Sequence, residues 1–153
     1  MVSMRPASPA DPASHALLAE YFADRARGFP AEQGEYRTTF PDPAAFEGGR
    51  GVFLLVEDEE LGPVGCGGIR LLSPGRAEVK HLYLQPRTRG RGLGRVLLSE
   101  LERLAAGLGA TEVVLDTNRS LAAAGGLYRA SGYESTEPYN DNPNATDWYR
   151  KPL

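Results

Sequence analysis

The chain has a single cysteine, Cys66, and only two histidines, His15 and His81. One cysteine excludes an intrachain disulfide, and two isolated histidines do not make a metal-ligand set, so no metal is expected. No stretch approaches the ~18 consecutive apolar residues of a membrane span. The first residues also lack the apolar run of a secretory leader. Nor is there an excess of positive charge: 17 Lys and Arg stand against 20 Asp and Glu, for a formal net charge of −3. No global field therefore draws the chain to nucleic acid or to an anionic membrane. These absences predict a cytoplasmic protein with neither nucleic acid nor membrane as partner.

What is present is ordinary globular material. The 153 residues are 41% hydrophobic and 24% charged, which suits one domain over 1–153 with a core of normal size. Leu17, Leu18, Tyr21 and Phe22 recur at helical spacing after Asp11-Pro12, following a loose lead-in from Pro6 to Pro12. Residues 30–50 read as a loop with at most a short helix near Ala44 to Glu47, and loops of this length often cover binding sites. The period then changes. Val52 to Val56, Val64 to Leu72 and Ala77 to Leu84 read as three strands joined by short turns, an antiparallel meander. The middle strand is expected to be loosened by Gly65, Gly67 and Gly68.

A helix with the stripe Val96, Leu97, Leu101, Leu104 and Leu108 follows, and Gly109 suits its end. Thr111 to Thr117 is a buried strand, placed parallel to the third by the intervening helix. Leu121 to Ser131 reads as another helix. Tyr133 to Glu137 and Asp147 to Lys151 read as a final antiparallel pair. The expected class is α+β, a mixed and mostly antiparallel sheet flanked by helices.

The segment Leu82-Tyr83-Leu84-Gln85-Pro86-Arg87-Thr88-Arg89-Gly90-Arg91-Gly92-Leu93-Gly94-Arg95 joins a strand to a helix through a glycine-rich loop. Glycines let a ligand approach the backbone amides, and the free N–H groups at a helix start attract anions. Four arginines in an otherwise acidic chain strengthen that reading. The ligand this arrangement asks for is phosphorylated, most simply a pyrophosphate. A Walker-type loop fails because Gly94 is followed by Arg95-Val96 rather than Lys-Ser/Thr. A dinucleotide fingerprint is disfavoured, since the glycines are evenly spaced and follow a meander, although Asp116 imitates the ribose-binding acid.

The pattern Arg89-x-x-Gly92-x-Gly94 after Leu82-x-Leu84-x-Pro86, with the later Leu127-Tyr128-x-x-x-Gly132-Tyr133, resembles the GNAT superfamily of N-acetyltransferases. The resemblance runs from about Val52 to the C-terminus. It implies a GNAT-like fold, acetyl-CoA as co-substrate and a small-molecule primary amine as acceptor, attacked directly in a ternary complex. It further implies that backbone groups of Leu82, Tyr83 and Leu84 contact the acetyl and pantetheine portions. Amides of Arg89, Gly90, Arg91, Gly92, Leu93, Gly94 and Arg95 would hold the pyrophosphate. Tyr128 matches the tyrosine that protonates the leaving thiolate. Leu121 departs from the asparagine many members carry there, leaving Asn118 either as a pantetheine contact or as a helix cap.

Glu78 stands at the spacing from Arg89 where some members place a catalytic glutamate, and is the expected general base; the alternative is a strand carboxylate paired with Lys80 or an arginine. Strand alternation turns His81 to the face opposite Glu78. A packed or surface histidine is the simpler reading of it than a second base. Glu35 and Tyr36 in the loop, with Tyr139 and Asn140 near the C-terminus, are candidate substrate-binding residues. Their acidic and aromatic character suits a cationic amine. Many members pair as homodimers, a state this sequence leaves open. Two other classes compete: a non-catalytic acetyl-CoA or metabolite-binding regulatory domain, and an RNA-binding Arg-Gly loop, which the net acidity and the absence of nearby stacking aromatics disfavour.

Overall fold

Val2–Pro6 forms a strand, β1, ahead of helix α1 at Pro12–Gly28. The computed structural model describes residues 1–153. Strand β1 is absent from the sequence reading, because Met4 and Arg5 carry no apolar alternation strong enough to betray a strand. It is held by antiparallel pairing with the next strand, Val2 opposite Asp58 through Pro6 opposite Leu54. A single 3-10 turn at Pro43–Phe46, capped by the Asp42 side chain, is the only helix in the second half of the loop.

Strands β2 (Gly51–Asp58), β3 (Gly62–Ser73) and β4 (Arg76–Leu84) form the expected meander. Helix α2 (Leu93–Gly107) crosses to β5 (Glu112–Thr117), which lies parallel to β4. Helix α3 (Ala122–Ala130) leads to the short β6 (Glu134–Ser135) and then to β7 (Asp147–Pro152). The seven strands run in the order β1-β2-β3-β4-β5-β7-β6, and only the β4–β5 pair is parallel. No helix is long and apolar enough to cross a membrane.

The sheet is buried on both faces, which is why β2 reads as a continuous apolar run rather than an alternating one. Phe53 and Leu55 face α1, with Leu17, Leu18, Phe22 and Phe46. Leu54 and Val56 face the opposite way, with Leu97 and Leu101 of α2. The glycines of β3 permit close approach, and the strand's pairing with β4 is irregular across Gly67. A Cβ at Gly65 would stand 2.6 Å from the Tyr83 carbonyl oxygen, and one at Gly68 would stand 2.6 Å from the Phe46 ring.

Two irregularities in β4 prepare the site. Its pairing with β5 covers only Arg76 to Glu78, so the two strands part beyond Glu78 and Val114. Its pairing with β3 shifts by one residue between Lys80 and Tyr83, a bulge in which His81 takes a left-handed backbone with φ 58°. The bulge corrects the orientation drawn from strand alternation. Arg70 follows Gly68 on the α1 face, and Glu78 reaches Arg70 there. His81 packs on α1 as well, with ring centroids 5.6 Å from Phe22 and 6.2 Å from Tyr21. His81 and Glu78 therefore share a face.

Gly65→Ala is expected to destabilise the fold by about 1–3 kcal/mol, because a strand backbone cannot give way to the added methyl. Gly126→Ala in α3, with nothing within 4 Å of the new Cβ, is expected to stabilise it by up to about 1 kcal/mol. Denaturant midpoints for the two variants measure both effects.

Candidate active site

Where β4 and β5 part, a cleft of about 570 Å3 passes between them. It draws Tyr21, Phe22 and Arg25 from α1, Tyr36, Arg37, Phe40 and Phe46 among others from the loop, and Ala124 and Tyr128 from α3 with Leu121 at its start. Tyr128 belongs to the core on the α2 side, whereas Phe22 belongs to the core on the α1 side. The fork is therefore a passage through the sheet, and residues from both faces meet in it.

Charged side chains bridge the fork. Lys80 Nζ donates to both Asp116 carboxylate oxygens at 3.2 Å, spanning the gap from β4 to β5. Asn140 and Asn142 donate to Asp116 Oδ2 at 2.7 and 3.2 Å. Burial pushes the Asp116 carboxyl up, but Lys80 and the two amides outweigh it and hold the group below the ordinary carboxylate range. Glu78 sits at the vertex and is 1% exposed. Its Oε1 accepts from Arg70 Nε at 2.9 Å and lies 2.8 Å from Nη2. Its Oε2 accepts from Tyr139 Oη at 2.5 Å and stands 3.5 Å from Lys80. Both oxygens are thus engaged by protein donors, and Glu78 does not line the cleft.

Tyr128 does line it. The residue is 7% exposed, and burial pushes its phenol above the ordinary value, so the hydroxyl keeps its proton through the physiological range. Burial acts on two other groups of the cleft wall as well. Burial, reinforced by Lys80 and Arg70, pushes His81 down to about 3 and leaves a neutral imidazole packed against α1. Burial raises the Tyr36 phenol to about 12, and the Arg25 guanidinium lies 5.0 Å over its ring.

Beyond β4 the glycine-rich loop is open. Gly90 and Gly92 have φ of 81° and 75°, with nothing within 4 Å of where a Cβ would stand. Gly92 caps α2 without a side-chain bond, and Val96 N–H donates to Gly92 O at 3.3 Å. The N–H groups of Leu93, Gly94 and Arg95 precede that bond and have no helical acceptor. Arg89, Arg91 and Arg95 are exposed around them. Arg91 leans on Asp58 at 3.3 Å, and Arg89 Nε donates to the Leu84 carbonyl at 3.2 Å. This cradle has the space and the donors that a pyrophosphate needs.

The remaining expectations divide. Leu82 and Tyr36 line the cleft, while Tyr139 and Asn140 stand behind it as supports of Glu78 and Asp116. Tyr83 turns to α1, and its hydroxyl lies 3.4 Å from both Glu20 and Asp24. Glu35 is exposed and outside the cleft. Asn118 is fully buried: its amide donates to Gln33 Oε1 and to the Asn144 carbonyl, and its Oδ1 accepts from Ser120 N–H. It holds the loop rather than capping α3, and both hydrogens of its side-chain amide are spent on Gln33 and Asn144. Arg25 and Arg70 are cleft residues that the sequence did not single out, and Lys80 and Asp116 were noted there only in other roles, since only the fork brings the four together.

Residues 14–133 match the Acetyltransferase (GNAT) family. An uncharacterized N-acetyltransferase of Schizosaccharomyces pombe is 38% identical over 94 residues, 61% of this chain and 58% of that protein. The chain thus spans little more than half the length of that relative. Among solved structures, an acyl-CoA N-acyltransferase assignment from Klebsiella pneumoniae superposes with a TM-score of 0.79 at 28% identity, over 100% of this chain and 98% of the other. A phosphinothricin acetyltransferase of Sinorhizobium meliloti in complex with acetyl-CoA shares the fold, with a TM-score of 0.68 at 20% identity over 99% and 88% of the two chains.

The depressed Asp116 carboxyl gives a test of the fork. A carboxylate more acidic in the folded state contributes stability that is full above its unfolded value of about 3.9 and is lost as pH falls through the folded value. Asp116→Asn is expected to remove that acid-side component. It should also cost about 3 kcal/mol at pH 7, because Lys80 loses its closest counter-ion. Denaturant midpoints measured from pH 7 to pH 3 check both.

Proposed function

The chain belongs to the acetyltransferase (GNAT) family, and from that premise we propose that it moves the acetyl group of acetyl-CoA to the primary amine of a small molecule by direct attack in a ternary complex. The observation that carries the reading is the Tyr128 hydroxyl, a protonated phenol facing the fork with no hydrogen-bond partner elsewhere in the chain. The N–H groups of Leu93, Gly94 and Arg95 would hold the pyrophosphate, with Gly90 and Gly92 giving it room. The free edge of β4 beyond Glu78, including Leu82, would meet the pantetheine arm. Bound acetyl-CoA supplies an activated thioester whose carbonyl carbon a neutral amine attacks and whose thiolate departs.

Tyr128 then acts as proton donor and stabilises negative charge developing at the sulfur. Its raised pKa makes it a weaker acid but keeps the hydroxyl protonated, able to hydrogen-bond the sulfur as charge develops. The same shift rules it out as the base at neutral pH. Glu78 is assigned here to positioning. With both oxygens bound by Arg70, Tyr139 and Lys80, it fixes the cations at the vertex and leaves the amine to lose its proton to water.

Tyr128→Phe should lower kcat by about 100-fold while changing acetyl-CoA affinity less than about twofold; thiol release and calorimetry read the two separately. Unchanged kcat removes Tyr128 from the chemistry. Glu78→Gln should lower kcat by the same factor at every pH. A loss concentrated on the acid side would instead restore Glu78 as the general base.

A further inference from the structure

The acceptor side of the cleft is more positive than the chain as a whole. Arg25, Arg37, Arg70 and Lys80 line it, against the carboxylates of Asp42 and Asp116. Two of these cations are matched, Arg70 by Glu78 and Lys80 by Asp116. Asp42 is exposed and is used to cap the Pro43–Phe46 turn. Arg25 and Arg37 have no acidic partner.

Arg25 is nevertheless held in place. Its guanidinium lies over the Tyr36 ring, and Nη1 donates to Tyr21 Oη at 3.4 Å. Both contacts pin the head of a half-buried side chain inside the cleft, and neither neutralises it. Arg37 is carried by a segment strapped to the far wall. Its N–H donates to Asn144 Oδ1 at 2.9 Å and its carbonyl accepts from Asn144 Nδ2 at 2.7 Å. The positive charge of Arg25 also reaches the phenol of Tyr128, where it opposes the effect of burial. The unpaired cation and the reacting centre thus share one enclosure.

A fixed guanidinium without a counter-ion is built for a planar anion, to which it can present two parallel N–H groups. We infer that the acceptor is an amino acid, its amine directed to the fork and its carboxylate held by Arg25, with Arg37 adding positive charge at the rim. This rests on the acetyl-transfer reading and narrows it. It also reverses the expectation of acidic residues attracting a cationic amine, since Glu35 stands outside the cleft.

The test uses the full chain and matched pairs: the common L-amino acids and their carboxamides, which keep the amine and remove the charge. Two readouts are taken, thiol release from acetyl-CoA and the shift in thermal midpoint with each compound. One or more acids should exceed their amides by about 10- to 100-fold in kcat/KM and should raise the midpoint where the amides do not. Arg25→Gln should collapse that acid-to-amide ratio and the thermal shift, with acetyl-CoA binding by calorimetry retained. Arg25→Lys should fall between, and Arg27→Gln, outside the cleft, should keep the parental ratio. Amides or simple amines preferred over acids, or acids that neither react nor stabilise, overturn the inference while leaving acetyl transfer intact. Absence of acetyl-CoA binding by the parent protein would instead overturn the reading beneath it.

Discussion

The ion pair between Lys80 and Asp116 is the contact on which the site depends. Two adjacent parallel strands would ordinarily stay paired along their shared length, each backbone group finding its partner. Here β4 and β5 part after three paired residues, and the charge pair spans the gap that the missing ladder leaves. Asp116 is in turn held by Asn140 and Asn142, and Asn140 is oriented by Trp148 Nε1 at 2.9 Å. The segment before β7 thus acts as a bracket behind the fork. Buried charge of this kind adds little net stability, and its service is to keep a polar opening in the middle of a hydrophobic sheet.

The bulge at His81 belongs to the same construction. An extra residue bends a strand and increases its local twist, which carries the end of β4 away from β5. It also puts Lys80 and His81 on one face in succession, so a cation and a neutral imidazole line the cleft where alternation would allow only one of them. A non-glycine residue at φ 58° is uncommon. The packing of His81 against Tyr21 and Phe22 is what stabilises that backbone.

Much of this could be read from residue order. The meander, the crossover helix and the final strand pair follow from apolar period and from punctuation by glycine and proline. The open loop before α2 follows from Gly90, Gly92 and Gly94. What escaped was whatever depends on contacts distant in sequence. Strand β1 exists through its pairing with β2, not through its own pattern. Asn118 looked able to meet a ligand because its partners, Gln33 and Asn144, lie 85 and 26 residues away. For Glu78 the residue order offered both a base and a carboxylate paired with Lys80 or an arginine. The pairing is what forms, with Arg70 and Lys80, and Tyr139, 61 residues on, was the partner hidden from the sequence. The charge that lines the cleft was not legible from residue type either: Glu35 is exposed and outside it, while Arg25, from the helix before, lines it.

The passage through the sheet also bears on the order in which ligands come and go. The glycine cradle lies beyond the end of β4, and the acceptor half lies beneath the strapped loop on the α1 side. A ligand seated in the cradle and one held beneath the loop would meet at the fork from opposite sides. An enzyme with one mouth must load the deeper ligand first and release it last. Here the cradle lies beyond β4 and the cleft wall is drawn from both faces of the sheet, so neither half of the site stands behind the other.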